Sequence, residues 1–181
     1  ATTYLLHRDF QSRQAFFDGG QVQFDRWVGG LMLQFVNDHQ LFNRPNRFLI
    51  GVDYGMQNDN RQRFNNNFGV RDTLNLSQIE RVQSVGPFFR NEWNMLDKLD
   101  LVMGGRWDWL HYQVKDAFKT DGNQSGSRTV AQASGSIGLV YHLTEQQQIY
   151  THVASVFEAP TTTELLNNPA GRGGFNPRLN A

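Results

Sequence analysis

The sequence lacks cysteine, net charge and long apolar runs, and each absence narrows what the chain can be. With no cysteine among 181 residues, disulfide frameworks and thiolate metal sites are excluded. Seventeen basic and 17 acidic side chains cancel, so no basic footprint predicts nucleic-acid binding. No stretch approaches the roughly 18 apolar residues of a membrane helix. The low mean hydropathy of -0.55 still permits barrel strands, which expose only alternate residues to lipid.

What the chain contains instead is a repeated alternation of apolar and polar residues. The clearest case is the segment 48–57, where large apolar side chains occupy every second position and mostly small or polar ones lie between them. A period of two predicts β-strands, whereas helices repeat at about 3.6. Such alternation predicts strands at 2–10, 22–36, 48–57, 81–96, 101–114, 129–143 and 148–157.

The connections between the predicted strands differ in length. Turns are predicted at 37–46, 97–99 and 144–147, and polar loops at 11–21, 58–80, 117–128 and 158–181, the last with a helical turn at 163–168. Membrane barrels have short periplasmic turns and longer outer loops, whereas soluble sandwiches show turns every ~8–12 residues. The predicted fold is therefore all-β: antiparallel up-and-down strands of a transmembrane β-barrel. Strands beginning near Phe48, Leu101 and Gln148 are predicted to run outward.

Four groups of residues carry a family resemblance. They are FFRNEW at 88–93 with GGRWD at 104–108, GLVY at 138–141 with Ile149-Tyr150, FEAPT at 157–161 with Glu164-Leu165, and GFNPRL at 174–179. In this order and spacing they resemble the barrel domain of TonB-dependent outer-membrane receptors. One position departs from the family's pattern, since Arg90 stands where a glutamine is usual.

The resemblance implies a bacterial outer-membrane receptor with a barrel of about 22 strands around a plug. Residues 1–181 are then expected to be part of that barrel, with the plug and the C-terminal strands outside the sequence. The implied function is import of a scarce nutrient, most often a ferric siderophore. The implied partners are the TonB complex, reached through a missing N-terminal region, the ligand and outer-membrane lipid; no cofactor is implied.

The residues alone leave two other classes of function open. One is a soluble all-β module that binds a glycan or a protein through aromatic and Asn-rich loops. The other is a passive porin or adhesin barrel. Detergent dependence separates the soluble module from a membrane barrel, because a barrel exposes apolar surface in plain buffer.

Polar residues on the strands are candidates for the inner wall of the barrel. An arginine that faces lipid at the midplane costs ~2–4 kcal/mol, so such groups must line the lumen or pair with one another. Arg106 and Asp108 share a face and are predicted to reach Glu92 across the hairpin. The network either contacts the plug or forms wall salt bridges without a transport role. Its predicted members are Asp53, Gln57, Arg90, Glu92, Arg106 and Asp108.

Ligand recognition is expected in the outer loops. The predicted loop 58–80 is rich in Asn, Gln and Arg, and guanidinium groups bind anions through charge-assisted hydrogen bonds. Arg61, Arg63 and Arg71 are therefore candidate ligand-binding residues, the alternative being a solvated loop without ligand contact. The family-like residues of 157–179 are expected to brace their loop rather than to bind ligand.

No catalytic or metal site is predicted. Glu92 and Asp108 offer two carboxylates, but glycosidases also need a shaped sugar cleft and a defined separation. The five histidines are scattered without a helical metal spacing.

Aromatic residues toward strand ends or on outward faces are predicted to anchor the barrel at the lipid headgroups, where amphipathic rings are favoured. They are Trp27, Tyr54, Trp93, Trp107, Trp109 and Tyr141.

Overall fold

A computed structural model of the protein describes residues 1–14, 20–166 and 174–176. In these residues the chain forms one seven-stranded antiparallel sheet, and each strand pairs with the next along the chain. This order confirms the predicted all-β, up-and-down fold. The elements are β1 (Thr2–Gln11), β2 (Gln21–Leu41), β3 (Arg44–Asn67), β4 (Val70–Leu96), β5 (Leu99–Asp116), β6 (Gly126–His142), β7 (Gln148–Ser155) and α1 (Thr162–Leu166).

The sheet has two chemically different faces, because side chains alternate along each strand and the register aligns like with like. Leu33, Val52 and Pro87 lie side by side on one face, which we call the apolar face. Asp53 and Gly86 lie side by side on the other, which we call the polar face. Large side chains of the apolar face remain exposed, with Leu33 at 44%. Because so many large apolar side chains are exposed, this face is suited to contact with an apolar medium rather than with water.

The prediction of a loop at 58–80 is wrong. Strands β3 and β4 continue through it as paired strands and meet at the turn Phe68-Gly69, where both residues have positive φ angles, 49° and 89°. Tight hairpins use this backbone geometry because its twist matches that of the strands. At 24 and 27 residues, the two strands exceed the roughly 9–11 that a membrane crossing needs. The polar composition excludes a lipid-facing strand, but it permits a strand that extends into water.

The predicted turn at 37–46 is too long. The connection between β2 and β3 is only Phe42-Asn43, again with positive φ angles, 52° and 59°. Asp97-Lys98 joins β4 to β5, close to the predicted turn, and residues 143–147 join β6 to β7. These three short connections lie at one end of the sheet, which we call the inner end; the opposite end is the outer end.

Two outer connections carry short helical pieces. Residues 117–125 join β5 to β6 and include a 3₁₀ turn at Lys119–Asp121. The helical turn predicted at 163–168 corresponds to α1, although 167 and 168 lie outside the described residues, as do 15–19 of the predicted loop 11–21. No helix in the described part of the chain is long and apolar enough to cross a membrane.

Burial is concentrated at the outer end of the sheet. There the chain after β7 folds back onto the polar face, since Tyr112 Oη donates a hydrogen bond to Pro160 O at 2.7 Å. We call residues 156–166 and 174–176 the returning segment. The buried side chains at this end are Gln21, Asp59, Asn66, Leu76, Gln78, Glu80, Tyr112, Val114, Asp116 and Leu165.

Candidate lumen network and outer mouth

An arginine fork joins two strands of the polar face across a third. Arg106 on β5 donates from Nη1 to Asp53 Oδ2 on β3 at 2.5 Å, and from Nε to Asp108 Oδ1 at 2.7 Å. Because β4 lies between β3 and β5, the guanidinium crosses a whole strand. The three side chains are partly exposed, and charge-assisted hydrogen bonds of this kind are shorter and stronger than neutral ones. The structure thus brings three of the predicted network residues together.

Gly86 makes this crossing possible. It lies beside Asp53 in the register, and a Cβ atom at this position would lie 2.2 Å from Arg106 Nη2 and 2.9 Å from Asp108 Oδ1. Any side chain here would therefore displace the guanidinium. Sequence reasoning missed this role, although a glycine inside a strand signals the close approach of another group.

Arg90 and Glu92 form a separate pair. Arg90 Nη2 lies 2.8 Å from Glu92 Oε1, and the side chains are 61% and 42% exposed. The predicted link from Arg106 to Glu92 is not made, because the register places Arg106 beside Phe88 and Glu92 beside Val102, further toward the inner end. The polar face therefore presents two charge groups at different depths.

A second and more buried network occupies the polar face toward the outer end. Asp59 accepts two hydrogen bonds from Arg26, from Nε at 2.8 Å and from Nη2 at 2.5 Å, and a third from Gln57 Nε2 at 3.1 Å. Its side chain is fully buried. Such a carboxylate is tolerated only because the paired guanidinium and the amide replace its hydration. Because Asp59 was predicted to lie in a loop, the sequence analysis did not identify this network.

Glu80 on β4 lies beside Asp59 of β3. The burial of its carboxyl group is less well compensated by hydrogen bonds and opposite charge. Its Oε1 accepts a hydrogen bond from Gln78 Nε2 at 2.7 Å and lies 3.7 Å from Arg61 Nη1. Its Oε2 has no hydrogen-bond partner among the described residues. Burial raises the pKa of Glu80, and the charge of Arg61 only partly opposes the rise. Desolvation therefore outweighs attraction at this carboxyl group.

The three candidate ligand-binding arginines divide between the two faces. Arg61 and Arg63 are two residues apart on the polar face of β3, where Arg63 Nε donates to Asn75 Oδ1 at 3.0 Å. Burial, and then the charge of Arg61, lower the pKa of Arg63. Arg71 follows register shifts near the hairpin tip and lies on the other face, with its Cζ 4.2 Å from the Phe64 ring centroid. Only the first two share the outer end of the polar face, which we call the outer mouth.

The family-like residues of the returning segment bond to one another. Thr161 and Glu164 form a capping box, in which Thr161 N donates to Glu164 Oε2 at 2.7 Å and Glu164 N donates to Thr161 Oγ1 at 3.2 Å. These bonds lower the pKa of Glu164. Leu165 is 1% exposed, and Asn176 N donates to Leu165 O at 2.6 Å. This geometry agrees with the expectation that the motif braces its loop.

Aromatic side chains mark two levels on the apolar face. Trp27 and Trp109 lie toward the outer end, and Trp93 and Tyr141 toward the inner end. Trp27 and Tyr141 are 43% and 45% exposed. The apolar band between the two levels also contains Phe35, Phe89 and Trp107, so the predicted anchor Trp107 lies between the levels. Aromatic levels on both sides of an apolar band are the pattern of a barrel that spans a bilayer.

Histidine and carboxylate side chains meet in pairs rather than in larger clusters. His7 Nε2 lies 2.7 Å from Asp25 Oδ2, and His142 Nε2 lies 2.8 Å from Asp100 Oδ2. Across the ranges 1–14, 20–166 and 174–176, no group of three or more His, Cys, Asp or Glu side chains is placed to hold a metal ion.

The two-faced meander agrees with the result of a family comparison. The family model described as "TonB dependent receptor-like, beta-barrel" matches residues 1–181. Barrels of this family lie in the bacterial outer membrane, interact with TonB and transport small-molecule ligands, and the family is one of transporters rather than enzymes. The short connections of the inner end then face the periplasm, and the apolar face contacts lipid. The chain therefore belongs to the TonB-dependent receptor β-barrel family of the bacterial outer membrane.

Proposed function

We propose that this barrel imports a ferric siderophore and that Arg61 and Arg63 contribute to its binding. The supporting observation is the pair of guanidinium groups that faces the outer mouth, at a depth where burial and mutual repulsion already lower the pKa of Arg63. An anionic chelate relieves that repulsion and accepts charge-assisted hydrogen bonds. Arg71, which lies on the opposite face over Phe64, is not part of this binding surface.

The test is binding of radiolabelled ferric siderophores to the intact protein in detergent. A ferric catecholate or ferric hydroxamate is expected to bind, and Arg61→Gln with Arg63→Gln is expected to weaken binding at least about tenfold, the effect of two lost charged contacts. Arg71→Gln is the matched control and should bind as the unchanged protein does. Binding of haem or cobalamin without binding of any ferric chelate would overturn the proposal.

We further propose that the charged residues of the polar face contact a plug domain inside the barrel. These residues are Asp53, Arg90, Glu92, Arg106 and Asp108. Arg90 and Glu92 support the proposal best, because their side chains stay 61% and 42% exposed although they form an ion pair. Exposed ion pairs add little stability by themselves, typically about 0–1 kcal/mol. Stabilisation of the barrel wall therefore does not account for this pair, whereas contact with a partner in the lumen does.

Uptake and stability measured on the same variants separate the two interpretations. Arg90→Gln with Glu92→Gln should reduce energy-dependent uptake several-fold and leave barrel unfolding unchanged. The control replaces the pair Arg44 and Asp97 at the inner turn by Gln and Asn, which should alter neither. Unchanged uptake in the first variant would identify the pair as a wall salt bridge only.

A further inference from the structure

Two buried carboxyl groups lie side by side toward the outer end of the polar face, and they differ in how well they are compensated. Asp59 accepts three hydrogen bonds, two from Arg26 and one from Gln57. Glu80, whose side chain is 1% exposed, accepts one, from Gln78 Nε2 at 2.7 Å. Within the described part of the chain its Oε2 has no partner. The charge of Glu80 therefore depends more than that of Asp59 on a cation that it does not hydrogen-bond.

That cation is Arg61, one of the two arginines proposed to bind the ligand. Arg61 Nη1 lies 3.7 Å from Glu80 Oε1, which is a charge contact but exceeds the distance of a hydrogen bond. The Arg26 guanidinium, by contrast, is bonded to Asp59 through two nitrogen atoms. Arg61 also keeps 26% of its side chain exposed. Its guanidinium is therefore free to turn toward an anion in the outer mouth, whereas that of Arg26 is held by its own carboxylate.

The charges that face Glu80 from β2 and β3 do not replace Arg61. Arg26 on β2 lowers the pKa of Glu80 less than Arg61 does, and the negative charge of Asp59 on β3 raises it. Because Arg26 is bonded to Asp59, the two charges of that pair largely cancel at Glu80. Arg61 is thus the main counter-charge of this carboxyl group.

The titratable groups that face Glu80 from β5 are already bonded elsewhere. Tyr112 and Asp116 occupy the two diagonal positions beside Glu80. The Tyr112 hydroxyl donates to the returning segment, and the Asp116 carboxylate accepts hydrogen bonds from two backbone N–H groups of its own loop. From the returning segment, Gly174 N donates to Gln78 Oε1 at 3.4 Å, which fixes the amide beside Glu80. None of these groups supplies Glu80 with a second cation.

We propose that Glu80 is a positioning residue for ligand binding: it competes with an anionic ligand for the Arg61 guanidinium and takes up one proton when the ligand binds. This inference rests on the proposed function of Arg61. An anion on Arg61 cancels the charge that keeps Glu80 ionised, and a buried carboxylate without a counter-charge binds a proton. Solvent supplies that proton, Oε2 is the oxygen free to carry it, and no bond within the ligand changes.

The sign of the resulting pH dependence follows from linkage. The ligand-bound protein carries one proton more than the unbound protein, so affinity rises as the pH falls. The rise ends where Glu80 is protonated in both states, and one proton gives a slope of at most about tenfold in affinity per pH unit. Burial already raises the pKa of Glu80, which moves this change toward neutral pH.

The test is calorimetric titration of the intact protein in detergent, from acid to alkaline pH, in two buffers that differ in ionisation enthalpy. The probes are a ferric tris-catecholate, a ferric hydroxamate and inorganic sulfate, which stays doubly charged throughout. The buffer difference counts the protons taken up per ligand, and the ligand's own protonation cancels when the unchanged protein is compared with Glu80→Gln. The unchanged protein should take up as much as one proton more than the variant.

The affinities separate positioning from a structural role. At the alkaline end, Glu80→Gln should bind at least about fivefold more tightly than the unchanged protein, the lower end of the coupling found between linked sites. At the acid end, where Glu80 is protonated, the two proteins should bind equally. A side chain that only supported the fold would, when replaced, weaken binding at every pH.

Glu145→Gln, the same substitution at an exposed residue of the inner connection, is the matched control and should behave as the unchanged protein does. Heat-dependent gel migration verifies that each barrel is folded. Absence of proton uptake by the unchanged protein would overturn the inference without any variant. Equal uptake by Glu80→Gln, or weaker binding by it at the alkaline end, would also overturn it and leave the proposed function standing.

The sulfate arm keeps the two proposals separable. If neither ferric chelate binds but sulfate binds with proton uptake that requires Glu80, the proposed function is overturned and this inference stands. If none of the three probes binds, both are overturned.

Discussion

The membrane-spanning part and the outer part of the same sheet differ in the kinds of residue that they expose and bury. In the spanning part, large apolar side chains such as Leu33 and Trp107 stay 44% and 45% exposed, and the charges lie on the polar face. In the outer part, the carboxylates of Asp59 and Glu80 are buried on that face, together with Leu165 of the returning segment. The strands are continuous between the two parts, so the backbone does not explain the difference.

The difference shows that each part is adapted to a different solvent. Lipid surrounds the spanning part, so its apolar side chains need no protein partner. Water surrounds the outer part, so its stability has to come from local packing and from satisfied polar groups. Four substitutions test this contrast.

The largest effect is expected from an arginine on the apolar face. Leu33→Arg should destabilise the barrel by about 2–4 kcal/mol, because the charge faces lipid near the midplane. Gln34→Arg, one residue later on the polar face, is the matched control and should cost much less. Urea unfolding in lipid vesicles measures both, and equal costs would contradict the assignment of the two faces.

In the outer part, we expect the loss of a buried side chain to reduce stability through packing alone, because lipid does not contact this part. Leu165→Ala should cost about 2 kcal/mol or more, the lower range for a fully buried leucine, and should detach the returning segment rather than unfold the barrel. Protease cleavage within 156–166 should accelerate in this variant. Leu166→Ala, at a half-buried neighbour, should accelerate it less. A cleavage rate equal to that of the unchanged protein would show that the segment is not held by this contact.

The arginine fork belongs to the spanning part, and its effect should be smaller because its members are partly exposed. Gly86→Ala places a methyl group against Arg106 Nη2 and should cost about 1–2 kcal/mol, as overpacking does. It should also remove the coupling between Asp53 and Arg106 in a double-mutant cycle. Gly104→Ala, whose Cβ meets its nearest atom at 3.3 Å, is the control. Undiminished coupling would show that the guanidinium reaches Asp53 by another path.

The smallest effect is a change in pH dependence at the outer end. Burial raises the pKa of Glu80 in the folded protein, so its stabilising contribution is complete below the ordinary value of about 4.3 and is lost as the pH rises through the folded value. Glu80→Gln should remove this part of the decline. Thermal unfolding of the outer hairpin at pH 4 and pH 7 measures it, with Glu92→Gln as the exposed control. An identical decline in the Glu80 variant would exclude this carboxyl group as the cause.

Sequence patterns predicted the spanning strands well and the outer part poorly. The alternation at 48–57 locates the lipid-facing side chains, because its large apolar residues all lie on one face and its small or polar residues lie on the other. At 58–80 most residues are polar, so the periodicity that distinguishes strand from loop is weak, although β3 and β4 remain paired there. The charges of the polar face were identified, but the pairing of Arg106 with Asp53 depends on the register and on the missing side chain of Gly86.

The sequence by itself determined the class of fold and the face that meets lipid, because both follow from the period of its alternation, and the resemblance of its motifs implied the family. Only the tertiary structure decided the partners, since strand register brings together residues such as Asp53 and Arg106 that are far apart in the chain. It also decided which carboxylates are buried, because the returning segment covers the outer end of the polar face by contacts such as Tyr112 with Pro160. Burial and pairing are properties of neighbours in space, and a local pattern contains no record of them.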